Sequence, residues 1–255
     1  MNAFTLKLIA CSAMLLDHIG FFTGNTTLRI IGRIALPIYA YLIASGYKKS
    51  KDPFKYLLRI CTFAVISEPI YDYCFHGVWV YDRDQNIMFT LALGLAALII
   101  LDHMKFRFPI SALALIPVAL LCQIAEKCSL DYGYWVVLLI VVYGVFDGKN
   151  VYSSTMLSVS TLFFAARFPI SFYMKMALIK IRSLVPFLSL IPIKQPNQLS
   201  DWYMMQIYAV VALLFILFYN GKRGIEIKNR IGQLAYQYAF YAFYPLHLLV
   251  LILVF

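Results

Sequence analysis

The run "KLIACSAMLLDHIGFF", Lys7 to Phe22, is almost wholly apolar, yet it holds Asp17 and His18 side by side and Lys7 at its start. A histidine beside a carboxylate is the pairing from which a positioned general base is built. The next run, "LRIIGRIALPIYAYLIASGY", carries Arg29 and Arg33 one turn apart on one helix face. Guanidinium groups in such surroundings pair with carboxylates or bind an anion. "ISEPIYDY" supplies Glu68 and Asp72, again one turn apart, and "DRDQNIMFT" supplies Asn86. Near the other terminus, "FYAFYPLHLLVL" sets Tyr244 and His247 on either side of Pro245. An ionisable group inside a membrane span costs roughly 2.5–3.5 kcal/mol. That many together imply either mutual pairing or a site.

The elements that position these residues follow from composition. The 255 residues are 62% hydrophobic and 13% charged, with a mean hydropathy of +0.78. A soluble domain is about 45–50% apolar and about 25% charged. The chain is therefore expected to be all-α, a single polytopic transmembrane helix bundle over residues 1–255. The net charge of +10 does not indicate nucleic acid here, because the Lys and Arg cluster in short loops, where they set orientation. The five cysteines show no metal-like spacing and fall mostly in apolar runs, which predicts buried thiols. "LIAC" resembles a lipoprotein cleavage box, but no basic segment precedes it, so the first helix is expected to be retained.

About 20 apolar residues cross a bilayer as helix. The spans predicted are 4–24, 27–47, 56–76, 86–101, 108–125, 133–147, 153–174, 203–219 and 234–255. Pro37 is expected to kink the second. The basic loops 48–55, 102–107 and 220–230 are expected on the cytoplasmic side, and the N-terminus with them. Nine spans satisfy this arrangement. A tenth at 175–202 is tempting, but Lys175, Lys180, Arg182, Pro186 and Pro192 argue for an interfacial or re-entrant helix on the outer side.

In this frame Lys7 lies near the cytoplasmic end of the first span and His18 nearer the outer end, about 16 Å further along. Asp17 is rotated about 100° from His18, so the two need not share a partner. Arg29, Arg33, Glu68, Asp72 and His247 all fall in outer halves. The simplest structural reading pairs Arg29 and Arg33 with Glu68 and Asp72, with Asp17 a further partner. The functional alternative makes these residues, with Asn86 and Tyr244, ligands of a substrate. For His18 the alternative to a base is a packing histidine bonded to a neighbouring carbonyl. For Lys7 the alternative is snorkelling to headgroups.

Six stretches carry a family resemblance: "KLIACSAMLLDHIG", "LRIIGRIALPIYAYLIASGY", "YLLRICTFAVISEPIYD", "NIMFTLALGLAAL", "YNGKRG" and "FYAFYPLHLLVL". Together they resemble the TraX family, named for the conjugative F-pilin acetylase, within the wider group of transmembrane acyltransferases. The region 108–200 contributes nothing to the resemblance. The acyltransferase-three signature of a basic residue, ten residues and a histidine is similar to Lys7 and His18. The resemblance implies an acetyl-CoA-dependent acetyltransferase in the bacterial cytoplasmic membrane, with no metal and an unidentified acceptor on the outer face. The acceptor is a pilin-like amine or an envelope glycan. Lys7, Lys222 and Arg223 would hold the CoA phosphates. His18, Asp17 and His247 would be catalytic, and Arg33 or Asn86 would face the oxyanion. The competing reading is a proton-coupled transporter, which uses similar buried groups; no inverted repeat supports it. A non-catalytic scaffold would leave the buried charges unexplained.

Overall fold

The computed structural model describes residues 1–107, 115–146, 150–184, 204–225, 227 and 229–255. It is helical: α1 (Ala3–Thr23), α2 (Thr26–Gly32), α3 (Ala35–Lys49), α4 (Pro53–His76), α5 (Ile87–Arg107), α6 (Leu115–Lys127), α7 (Gly133–Val145), α8 (Val151–Ala165) and α9 (Arg167–Leu184). A helical segment whose first half is 3-10, α10 (Gln206–Leu217), and α11 (Arg230–Val254) complete it. Among the described residues the only strand-like pairing is an isolated bridge between Gln85 and Leu130.

Local chemistry sets the helix ends. Asn2, Asn25, Asp52, Asn150 and Asn229 each accept a backbone N–H in the first turn of the helix that follows, which satisfies donors the helix leaves orphaned. Gly24 closes α1 in the left-handed region at φ 67°, a conformation glycine adopts without steric cost. Two breaks follow from proline. A proline ring excludes the carbonyl four residues back. For Pro37 that carbonyl belongs to Arg33, where α2 gives way to α3. The expected kink is thus a two-residue interruption at Arg33 and Ile34, one turn ahead of the proline, within the single span Thr26–Lys49. For Pro169 the carbonyl belongs to Ala165, the last residue of α8, and α9 departs at 66°. The expected continuous span over 153–174 is therefore two helices.

The helices run alternately between two ends. Lys49 Nζ donates to Tyr219 Oη (2.7 Å) and to the Gly221 carbonyl (3.0 Å). Ala3 N donates to the Lys222 carbonyl (2.8 Å), and Tyr47 Oη donates to Asp102 Oδ2 (2.8 Å). The three basic loops thus meet at one end, as the orientation argument requires. At the opposite end Gln85 meets Leu130, and Arg167 Nη1 approaches Gln206 Oε1 (3.4 Å). The chain from Arg167 to Gln206 therefore leaves and returns on one side. Residues 175–184 continue α9; the rest of the proposed interfacial segment lies outside the described residues.

Length and hydropathy identify four spans, α1, α2 with α3, α5 and α11, and a fifth if the bent pair α8 and α9 is one. That is fewer than the nine to ten expected. The reason is length for some helices and charge for one. α7 has 13 residues, so it covers about 20 Å of a hydrocarbon core about 30 Å thick, and residues 108–114 of the span expected at 108–125 lie outside the described residues. α4 is long enough at 24 residues but carries Lys55, Arg59, Glu68 and Asp72. One apolar core joins α1, α3, α4, α5, α7, α8, α10 and α11. It is tightened by small residues: a side chain at Gly94 in α5 would collide with Ile140 of α7, the close backbone approach typical of helices in lipid.

This arrangement makes a topological prediction. On a background lacking Cys11, Cys61, Cys74, Cys122 and Cys128, single cysteines at Lys48 and Lys222 should label with an impermeant thiol reagent from one side of the membrane. One at Val80, which is 84% exposed, should label from the other. Labelling of Lys48 and Val80 from the same side would contradict the two-ended arrangement.

Candidate active site

α1 and α11 bring together the two histidines the sequence placed at similar depth. His18 Nδ1 lies 2.8 Å from His247 Nε2, and the rings are nearly parallel with centroids 5.0 Å apart. His247 Nδ1 lies 2.8 Å from the Phe243 carbonyl. A carbonyl can only accept, so in the neutral pair His247 carries its proton on Nδ1 and offers a lone pair at Nε2. His18 must then donate from Nδ1, which leaves its own Nε2 as the basic nitrogen. This is the logic of a base oriented by a second group, with His247 in the orienting place. Phe75 meets His18 edge-on at 5.2 Å and Phe243 stacks on His247 at 5.0 Å, so aromatic faces fix both rings.

Asp17 faces elsewhere, as the 100° rotation between neighbours in a helix requires. Its Oδ2 accepts from Arg29 Nη1 (2.8 Å) and its Oδ1 pairs with Arg33 Nη2. Arg33 is 4% exposed, bonds the Arg29 carbonyl through Nε (3.0 Å), and donates from Nη1 to Tyr132 Oη (2.9 Å). Gly32 allows this: any side chain there would overlap Asp17. The arginines' carboxylate is therefore Asp17, in place of the Glu68 and Asp72 pairing expected. Those two close the loop between α4 and α5. Asp72 Oδ2 accepts from Tyr81 N (2.8 Å). Glu68 Oε2 takes the backbone N–H of Asn86 (3.1 Å) and its side-chain amide. That amide also donates to the Ala64 carbonyl (2.9 Å), and Asn86 Oδ1 accepts from Met88 N (2.9 Å). Asn86 is fully buried with both amide hydrogens engaged, so it clamps α4 to α5; it does not have a free donor for an oxyanion.

A cavity of about 310 Å³ enters from the basic end. Lys7, Lys49 and Arg59, from three different helices, line it, and Met14, Tyr39 and Tyr244 are among the residues toward its inner end. Met14 is one turn before His18, and Tyr244 one turn before His247, whose ring it meets at 5.6 Å. The histidine pair thus lies just beyond the cavity. Lys7 Nζ sits over Phe240 (4.7 Å) and Tyr236 (5.0 Å), and Arg223 shares the Tyr236 ring at 5.1 Å. Lys222 is exposed and outside the cavity lining; its carbonyl holds the start of α1. Arg59 was not singled out from the sequence. With the Gln237 amide oxygen turned toward it, that oxygen accepts from Arg59 Nε (2.8 Å) and Nη2 (3.1 Å).

The sequence reading also passed over a second polar centre, at the end opposite the basic loops. The turn between α6 and α7 carries Asp131 and Tyr132. Ser129 and Tyr132 take positive φ (52° and 59°), a strained state for residues with a side chain. Backbone bonds from Gln85 to Ser129 O and from Asp131 to Gln85 O, each 3.1 Å, hold the turn. Burial, reinforced by nearby Asp84 and opposed by Arg33 and Arg167, pushes the Asp131 carboxyl up to about 7. The only signal for this centre in the sequence was a charged residue beside aromatic ones in "LDYGYW" and "ARFP", a pattern shared by many ordinary turns.

The described residues define a membrane-type helical bundle with a cation-lined cavity at one end and a buried histidine pair just beyond it. Residues 3–255 match the family model described as TraX protein, and the chain belongs to that family. It is 29% identical over 274 residues to the "Probable fimbrial assembly protein FimC, serogroup H1" of Dichelobacter nodosus, a match covering 98% of this chain and 94% of that relative. No solved structure matches the chain.

Proposed function

We propose that the protein is a membrane acetyltransferase that moves an acetyl group from cytoplasmic acetyl-CoA to an amine or hydroxyl presented at the outer face. The observation that carries this reading is the cavity lined by Lys7, Lys49 and Arg59 that leads from the basic end toward the His18–His247 pair. CoA is an elongated anion with phosphates at one end and a thioester at the other, and a cavity with cations at its mouth and a base beyond its floor suits that polarity. The phosphates would meet Lys7, Lys49 and Arg59. The acceptor's oxygen or nitrogen attacks the thioester carbonyl while His18 Nε2 takes its proton. The C–S bond breaks as the tetrahedral intermediate collapses. His18 then returns the proton to the departing thiolate, giving acetylated acceptor and free CoA. Tyr244, at the inner end of the cavity and against the His247 ring, is the phenol placed to donate to the carbonyl oxygen. Arg29 and Arg33 fix the outer end of α1 through Asp17.

The reading is tested with purified protein and radiolabelled acetyl-CoA. Lys7→Ala should raise KM for acetyl-CoA about tenfold to a hundredfold, the worth of one bond to a charged group, with kcat nearly unchanged. Lys7→Arg should keep most of the affinity, and added salt should partly mimic the alanine variant. An unchanged KM would remove Lys7 from the donor site. Failure of the wild type to bind CoA, together with proton-linked uptake in liposomes, would replace the enzyme by a transporter.

A further inference from the structure

A second cavity, of about 420 Å³, opens at the end opposite the donor cavity and shares no residue with it. Its lining includes Asp131, Glu126, Arg167, Gln206, Tyr134 and Trp135. Arg167 is 2% exposed and tightly held. Its Nη1 donates to the Phe164 carbonyl (2.8 Å), and its guanidinium lies against Phe164 (4.2 Å), Phe168 (4.4 Å) and Tyr132 (5.1 Å). Glu126 Oε1 accepts from Tyr134 N (3.2 Å), which holds the far wall. Tyr134 and Trp135 stack on each other at 5.0 Å. Tyr132, Arg33 and Asp17, bonded in series, stand between this cavity and the helix face that carries His18.

The charges facing this space select its occupant. A free ammonium would meet the fixed cation of Arg167, with Arg33 behind Tyr132. A phosphate or carboxylate would meet Asp131 and Glu126, with Asp84 behind them. A hydroxyl both donates and accepts, so a ligand rich in hydroxyls can use Asp131, Gln206 and Arg167 at once. The apolar face of a sugar ring packs on indole and phenol rings such as those of Trp135 and Tyr134. We propose that this outer cavity is a binding site for a neutral, hydroxyl-rich ligand of the sugar class, with Asp131 and Arg167 as its polar ligands and Trp135 as its platform. The acetyltransferase reading makes such a ligand the acceptor, a hydroxyl on it taking the acetyl group. Binding itself does not depend on that reading.

The test uses the full chain in detergent with Trp79 and Trp202 changed to phenylalanine, so that Trp135 reports. Three probes are titrated: maltotetraose, N-acetylchitotetraose and tetra-alanine with a free amino terminus. At least one tetrasaccharide should change Trp135 fluorescence saturably, and tetra-alanine should not. Asp131→Asn, which still pairs with hydroxyls, should keep the sugar Kd within about threefold, whereas Asp131→Leu should weaken it by about tenfold or more. If Asp131→Leu does not fold, Arg167→Lys serves instead and should weaken the sugar by a similar factor, because the planar fork and its stacking are lost. Saturable binding of tetra-alanine that Asp131→Asn abolishes would overturn the proposal in favour of an amine site. No response to either tetrasaccharide would also overturn it. CoA binding measured by equilibrium dialysis on the same sample separates the two readings. Sugar without CoA binding keeps the site and removes the transferase, and CoA without sugar binding does the reverse.

Discussion

His18→Gln should lower acetyl transfer by about 10²–10⁴-fold, the usual contribution of a positioned base, and leave CoA binding intact. The expectation rests on the direction of two hydrogen bonds. The Phe243 carbonyl fixes the proton on His247 Nδ1, and His247 Nε2 in turn fixes the proton on His18 Nδ1. Only His18 Nε2 then remains as a base. In the proposed reaction His247 would act through His18, as a positioning residue. His247→Phe should lower kcat while the KM for acetyl-CoA stays where it was. Measuring kcat and KM for both variants against wild type separates the roles. Near-normal turnover in His18→Gln would remove His18 as the base. A loss of folding in both variants, read by size-exclusion and thermal denaturation, would make the pair a packing contact between α1 and α11.

Asp17→Ala should destabilise the protein by about 3–5 kcal/mol, because it removes the carboxylate that both Arg29 and Arg33 bond. Arg29 and Arg33 both bond this one side chain, and Arg33 is 4% exposed. Their cost of burial does not disappear when their partner does. Asp17→Asn should fall between wild type and alanine, since the amide accepts one bond but carries no charge. Combining Asp17→Ala with Arg33→Leu should be milder than the sum of the single changes, with a coupling of about 0.5–3 kcal/mol. Unfolding in mixed micelles measures all four. Additive losses would mean that the Asp17–Arg33 pair contributes nothing of its own. An Asp17→Ala variant as stable as wild type but inactive would move Asp17 from a structural anchor into the chemistry.

What the amino-acid sequence determined by itself was whatever depends on neighbours along the chain. An apolar composition requires a lipid-facing helical bundle, because only helices and closed barrels satisfy their backbone in hydrocarbon. The basic loops set a common basic side, which reappears as the meeting of Lys49 with Gly221. Proline chemistry was also local, although the interruption before Pro37 and the 66° bend before Pro169 became clear only in the structure. Depth was legible too. Lys7 lies at one end of α1 and His18 near the other, as counting residues along a helix gives.

Only the tertiary structure decided who meets whom. Asp17 and His18 are adjacent in sequence, yet about 100° of rotation sends one to Arg29 and Arg33 and the other to His247. Five charges on three spans offered several pairings, and the close approach at Gly32 selected Asp17 over Glu68 and Asp72. Asp131 and Arg167 gave no periodic or motif signal, and nothing set Arg59 apart within its stretch, since a lone charged residue in a helix or a turn is ordinary until packing buries it. His18 and His247 are 229 residues apart. Their contact depends on how α1 and α11 are rotated about their own axes, and that rotation is set by the whole core around them.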